Sequence, residues 1–284
     1  MSKVLLVMVI SSMLLACSRS APPPADPAFV AEWQKWHQAR IDRLKSEEGW
    51  LSLVGLHWLQ PGENRFDGVP GVYTLTEGKV LLTTGPDEGV TLDNQPLATR
   101  ELAPDVSGKP DQLAKGSLRW YVIVRGDKVG LRVKDIESPV RKSFTGIDTY
   151  PVHQDWRIEA RWEPYTEPRE VPIPNVLGQV DKGVARGRVH FTVDGKEYML
   201  EPTQAKPDSD LEFMFKDGTS GNGSYPAGRF LYSGPPQDGK VWIDFNRAYN
   251  PPCAFTPYAT CPLPNEQNII TALIEAGEKH WGSH

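Results

Sequence analysis

Cysteine is scarce, with three in 284 residues. That count excludes a small disulfide-scaffolded domain, and an odd number leaves one thiol to be accounted for apart from any pair. A basic excess is missing as well. Lys and Arg total 31 against 36 acidic residues, a formal net charge of −5 with a pI near 5.7, so the clustered positive surface that tracks a phosphate backbone is absent and nucleic acid is not an expected partner. Beyond the first 16 residues no apolar run approaches the roughly 20 residues needed to span a bilayer. The motifs of several common chemistries are missing too: there is no His-Glu-x-x-His, no Gly-x-Ser-x-Gly, no Ser-x-x-Lys and no Walker loop.

Glycine and proline are plentiful, at 25 and 26, well above the roughly 12 % the two together occupy in an average protein. With 39 % hydrophobic and 24 % charged residues, the chain is neither a coiled coil nor disordered. It reads as a β-rich globular protein with frequent turns.

Residues 1–16 form an N-terminal signal: Lys3, an apolar stretch from Val4 to Leu15, then Ala16 before Cys17. The ending Leu14-Leu15-Ala16-Cys17 resembles the bacterial lipobox, which implies cleavage before Cys17 and attachment of acyl chains to it; more than one chain makes anchoring stable. Ser18 after the cysteine resembles the outer-membrane sorting pattern, so the expectation is a lipid-anchored envelope protein facing the periplasm. The nine positions from Arg19 to Pro27 hold four prolines and two alanines, so residues 17–26 read as a semi-rigid tether.

Asp26-Pro27 predicts a helix start, and Phe29, Trp33, Trp36, Ile41 and Leu44 recur at helical spacing, giving an amphipathic helix over 27–48. From Gly49 short apolar runs alternate with Gly, Pro, Asn and Asp. Strands are predicted at Trp50–Leu59, Val72–Thr76, Lys79–Thr83, Val90–Leu92, Leu118–Val124 and Gly130–Lys134, a first β unit over 49–140. A second unit over 141–284 is predicted with strands at Trp156–Trp162, Arg188–Val193, Lys196–Leu200, Leu211–Lys216, Gly228–Tyr232 and Lys240–Phe245. Asp194-Gly195 is the strongest hairpin signal in the chain. A closing helix is expected over about Glu266 to Ala276, between Asn265 as cap and Gly277 as stop. The fold class is therefore mostly β: two sandwich or barrel-like units with an N-terminal and a C-terminal helix. The strand spacing over about 62–135, with its Asp93-Asn94 turn, loosely resembles a forkhead-associated β-sandwich.

Two segments carry the polar chemistry. Asp217 to Gly223 is a Gly-rich turn that offers backbone N–H groups and the Ser220 hydroxyl to an anion, or simply closes a hairpin; an EF-hand reading fails because its twelfth position is Gly228. Ser220 as a nucleophile requires a base such as His57, His153 or His190. The run Asp244 to Pro264 has too many prolines for a helix or central strand and reads as an ordered loop, the kind of segment that often carries function. Its Asp244, Asn246, Arg247 and Asn250, together with Asp217, Tyr225 and Arg229, either line a ligand site or satisfy one another, with Glu278 as a further partner. Cys253 and Cys261 lie eight residues apart in this loop. In an oxidising envelope they suit a disulfide, with a metal or free-thiol role as the alternative. No standard metal-ligand spacing is present, and no cofactor is implied.

Gly49 to Leu59, Asp217 to Gly221, Tyr225 to Arg229, Asp244 to Pro264 and Ala276-Gly277-Glu278-Lys279 together resemble the bacterial and archaeal domain-of-unknown-function family numbered 1684. The likeness brings no activity with it. The expected function is binding of a small polar or anionic ligand through the C-terminal loop. One alternative is an envelope hydrolase of an ester, glycan or peptide, with Asp244 or Glu278 as general base and Arg229 or Arg247 holding the developing anion. Another is a structural interaction module.

Overall fold

The computed structural model describes residues 24–282. The expected signal segment and Cys17 lie outside them. Asp26 caps the N-terminal helix, Pro27–Lys45, by accepting from the Ala28 N–H at 2.8 Å, with Pro27 at the first helical position. The buried side of this helix carries Trp33 and Leu44, as the spacing predicts, and also Arg40.

Residues 53–135 build two antiparallel sheets around one core. The first has six strands in the spatial order Leu53–Trp58, Lys128–Asp135, Leu118–Arg125, Leu113–Lys115, Thr91–Leu92 and Gln95–Pro96; the second has four, Gly62–Phe66, Val69–Thr76, Lys79–Thr83 and Thr99–Leu102. Tyr73, Val80 and Leu82 of the second sheet share a hydrophobic cluster with Leu113, Trp120, Val122 and Leu131 of the first. The polar tips inside that core are satisfied in series: Trp120 Nε1 donates to Tyr73 Oη at 2.7 Å, and Tyr73 Oη donates to the Pro70 carbonyl at 2.8 Å. Asp93 and Asn94 both take positive φ and turn the chain tightly between Leu92 and Gln95.

The second body is a four-stranded antiparallel sheet in the order Lys196–Leu200, Val180–Val193, Arg157–Pro174 and Lys240–Asp244, with a two-stranded ribbon, Leu211–Phe215 and Arg229–Ser233. Its core joins Ala160, Phe191, Phe213, Phe215, Leu231, Ile243 and Phe245. The Asp194-Gly195 hairpin forms between Val193 and Lys196, both turn residues at positive φ.

Two expectations are corrected. Strand Arg157–Pro174 runs twelve residues past the predicted Trp162 end, through Pro164, Pro168, Pro172 and Pro174. On the Lys240–Asp244 side residues 157–161 pair and the Trp162 N–H donates to the Gly239 carbonyl at 2.8 Å; beyond that point the ladder continues only against Val180–Val193. A proline, which lacks the N–H, is tolerated on such an edge. The C-terminal helix does not form. Asn265 caps as predicted, accepting from the Asn268 N–H at 3.1 Å, but the turn it starts is a single 3₁₀ turn, Glu266–Asn268. Beyond it Ala272, Ile274 and Ala276 are buried while Thr271, Leu273 and Glu275 are exposed, a period-2 pattern that overrides the helix propensity of Ala, Leu and Glu. The backbone pairs with the chain after the ribbon strand instead, with Ile270 N–H donating to the Lys216 carbonyl and Gly218 N–H to Ala272 at 2.9 and 2.7 Å.

A third cluster, Leu44, Leu51, Phe144, Ile147, Ala254 and Phe255, joins the helix, the start of the first unit and the C-terminal loop. No helix among the described residues is long and apolar enough to cross a membrane.

Candidate functional site

The run 244–264 is ordered by buried polar pairs. Asp244 ends its strand, and its Oδ1 accepts from both the N–H and the Nδ2 of Asn246, at 3.1 and 2.8 Å. The Asn246 side chain also exchanges bonds with the backbone of His153 at 3.0 Å, and its backbone carbonyl accepts from Trp33 Nε1 at 2.8 Å, so this one residue ties the loop to the strand end and the helix. Burial pushes the Asp244 carboxyl above its ordinary range, with the Asn246 bonds opposing the shift.

Arg40 reaches from the helix to Glu278, Nε to Oε1 at 3.0 Å, and donates to the Asn250 carbonyl at 2.9 Å. Glu278 Oε2 accepts from the Asn250 N–H at 2.7 Å. Gly277, at φ +79°, makes this approach possible: a Cβ there would meet the Ala248 carbonyl oxygen at 2.5 Å. A second pair, Arg229 and Asp217, is fully closed to solvent at 2.8 Å. Arg229 also donates to the carbonyls of Ile274 and Ala276, and Asp217 Oδ1 accepts from the N–H and hydroxyl of Thr219. Ser220 Oγ accepts from the Asp217 N–H at 3.1 Å, a turn-closing bond. Of its candidate bases, His57 stacks on Phe66, and His190 pairs with Glu163 and Glu197. Tyr225 sits in the third hydrophobic cluster, edge-on to His280.

Asp217, Arg229, Asp244, Asn246, Asn250 and Glu278 are thus brought into the C-terminal body as buried, mutually bonded groups, not as the wall of one open pocket. Arg247 differs. Its guanidinium is partly exposed, paired to Glu32, and it borders open space.

Beside it lies a groove of about 460 Å³ lined by Trp36, Arg40, Arg43, Trp50, Glu212, Phe230, Tyr232, Tyr249, Pro252 and Pro262. The space that Arg247 borders is a smaller hollow of about 250 Å³, which shares Trp36, Tyr232 and Tyr249 with the groove and adds Asp210. Arg40 lies over the Tyr249 ring at 4.6 Å, and Tyr232 stacks on Tyr249 at 6.4 Å. Tyr232 Oη donates to Glu212 at 2.8 Å. Burial pushes the Tyr249 hydroxyl up to about 12 and raises that of Tyr232 as well, so both stay protonated near neutral pH and keep their donors. Arg43 is exposed and has no ion-pair partner among the described residues. The groove therefore presents flat aromatic faces beside an uncompensated cation, a surface suited to a polar ring or a small anion. Sequence reading misses most of it: the helical spacing of Trp36 marks only an amphipathic helix, and Tyr249 is not among the candidate residues. The available signal was the aromatic content of a Pro-rich loop facing a Trp-bearing helix.

Cys253 and Cys261, for which the sequence left a disulfide, a metal role and a free-thiol role open, stand as free thiols in this structure. The Cys253 N–H donates to Cys261 Sγ at 3.1 Å, and the two side chains are hydrogen-bonded. Among the described residues no three His, Cys, Asp or Glu side chains gather in a way that could hold a metal ion.

Residues 142–279 match the family described as "Protein of unknown function (DUF1684)". The matched stretch, a little under half of the chain, is similar to the family that the sequence motifs resemble. The match contains the 217–221, 225–229 and 244–264 segments and Glu278. Gly49 to Leu59, also part of the sequence likeness, lies outside it, as does the stretch with the looser forkhead-associated likeness. A solved structure, the solution NMR structure of an uncharacterized protein of Haloarcula marismortui, is 28% identical over 49% of this chain and 78% of that one, with a TM-score of 0.42. No curated protein matches. The matched stretch supplies the ribbon, the 244–264 loop and the C-terminal strand-like segment of the groove and its buried supports, while Trp36, Arg40, Arg43 and Trp50 come from the chain before it.

Proposed function

We propose that the protein is a cell-envelope lipoprotein, anchored through Cys17, that binds a small polar or anionic ligand in the groove between the N-terminal helix and the two-stranded ribbon. The observation that carries the reading is the conjunction of Trp36, Trp50, Tyr232 and Tyr249 with the uncompensated guanidinium of Arg43 in one open groove. Aromatic faces give a ring contact area at low conformational cost, and the arginine supplies two donors in a fork that matches a carboxylate or phosphate.

The buried network has a different task in this reading. Arg40–Glu278 and Arg229–Asp217 hold the helix, the ribbon and the C-terminal segment so that the groove walls are preorganised. The anchoring part rests on the Leu-Leu-Ala-Cys sequence ending at Cys17. Tryptophan fluorescence titration with glucuronate and with glucose, an acidic and a neutral ring compound, tests the binding part: saturable change with glucuronate, stronger than with glucose, is expected. No saturable change with either up to millimolar concentration counts against it.

A further inference from the structure

The two thiols of the C-terminal loop differ in access. Cys261 is buried, at 4% exposure, whereas Cys253 is partly exposed. Cys253 lines a separate cleft of about 420 Å³ whose walls include Leu56 and Trp58 of the first sheet's edge strand, Val176 and Leu177 of the turn between the long strands, and Tyr258. Val176 and Tyr258 are themselves exposed, at 44% and 37%, so this apolar cleft opens to solvent beside one sulfur of the pair.

Both thiols are fixed by backbone. Cys253 lies in the 3₁₀ turn Pro252–Ala254, and the Cys261 carbonyl accepts from the Val176 N–H at 3.0 Å. Thr256 Oγ1 donates to the Leu53 carbonyl at 3.1 Å and pins the loop between them to the edge strand. Thr260, next to Cys261, accepts from Arg132 and Arg125, which sets a guanidinium near the sulfurs. Neither thiol is needed for the groove.

We propose that Cys253 and Cys261 form a thiol–disulfide exchange site, with Cys253 as the attacking thiol and Cys261 as the resolving one, acting on low-molecular-weight disulfides whose apolar part seats in the cleft. The Cys253 thiolate attacks one sulfur of the incoming disulfide; a mixed disulfide forms, the incoming S–S bond breaks, and one thiolate leaves and takes up a proton. Cys261 then loses its proton and attacks Cys253 Sγ. The Cys253–Cys261 bond forms and the second thiol is expelled. The protein dithiol is oxidised by two electrons and the disulfide is reduced to two thiols, with no further reactant required. The division of roles agrees with the electrostatics. The hydrogen bond from Cys261, aided by Arg132, draws the Cys253 thiol below its ordinary value, while the same bond and burial push Cys261 up.

The test treats reduced full-length protein with oxidised glutathione at pH 7 and reads each cysteine by peptide mass spectrometry, so that Cys17 is scored separately. Wild type should end with an internal Cys253–Cys261 bond and no retained glutathione on either residue. Cys261→Ser should retain glutathione on Cys253. Cys253→Ser should leave Cys261 unmodified or at least about tenfold slower to react, as expected for a buried thiol of raised pKa. Cys→Ala variants and thermal melts establish that each protein is folded. Comparable reaction at Cys261 in the Cys253→Ser variant overturns the assignment, as does stable glutathione on Cys253 in the wild type or no reaction at all.

Discussion

Arg229 and Asp217 meet at 2.8 Å with both side chains entirely closed to solvent, and the two terminal nitrogens of Arg229 also donate to the carbonyls of Ile274 and Ala276. A charge so placed has no water to fall back on. Asp217→Asn leaves the guanidinium buried without its counter-charge and should destabilise the fold by about 3–5 kcal/mol. Removing both charges, as Arg229→Met with Asp217→Leu, should cost less than the single change. Chemical denaturation of the two variants measures the difference; a double variant less stable than Asp217→Asn would contradict the account.

Glu278 has both carboxylate oxygens occupied, by Arg40 and by the Asn250 N–H. Glu278→Gln should therefore act on stability, lowering it by about 3 kcal/mol through the stranded Arg40. At a temperature where the variant is folded, its groove affinity should stay within about threefold of wild type, a change worth under about 1 kcal/mol. Denaturation and titration on the same sample separate the two effects.

The imidazole of His37, stacked on Trp33 at 4.8 Å, is held below its ordinary value by burial; Glu278 opposes that shift and Arg40 adds to it. His57 is lowered by burial as well. A histidine lowered in the folded state binds its proton more readily when unfolded. Its contribution is complete above the unfolded value of about 6.5 and is lost as the pH falls from there through the folded value. Melting temperature should drop on acidification below that point, and His37→Gln should flatten part of the drop. An unchanged pH profile in the variant would remove His37 from the explanation.

Lipid anchoring makes a prediction of its own. Cys17→Ser should move the protein from the membrane fraction to the soluble periplasmic fraction, and metabolic labelling with a tagged palmitate should mark wild type and not the variant. Retention of the variant in the membrane fraction would contradict anchoring through that residue.

Local signals in the sequence located turns and short strands well. Asp194-Gly195 and Asp93-Asn94 needed positive φ and said so, and Lys79–Thr83 and Lys196–Leu200 end where the apolar runs end. Failure came where tertiary pairing overrode a local rule. The prolines of 164–174 are bad strand residues unless one side of the strand is unpaired, and pairing is not a local property. Residues 269–276 have helix-forming composition, but their buried positions fall two apart. The short strands Gly62–Phe66, Thr99–Leu102 and Leu113–Lys115 went unread for the same reason, being defined by their neighbours more than by their own residues. At the candidate site the loop singled out in the sequence borders the groove, while most of the charged side chains singled out with it are buried. Asp217, Arg229, Asp244 and Glu278 look like ligand-binding groups because charged residues in a loop usually face water; here they face one another. The aromatic groove is assembled from Trp36, Trp50, Tyr232 and Tyr249, which lie far apart in the chain and meet only when the helix docks on the ribbon.

Isothermal titration of glucuronate into wild type, Tyr249→Ala and Arg43→Gln tests the central claim, that the ligand site is the aromatic groove, most directly. Arg43 is exposed and unpaired, so its replacement should leave the melting temperature unchanged within a degree or so, as for most surface substitutions, while weakening binding about tenfold or more, a loss of about 1.4 kcal/mol. Tyr249→Ala should abolish measurable binding. Wild-type affinity retained in both variants would contradict the groove as the site.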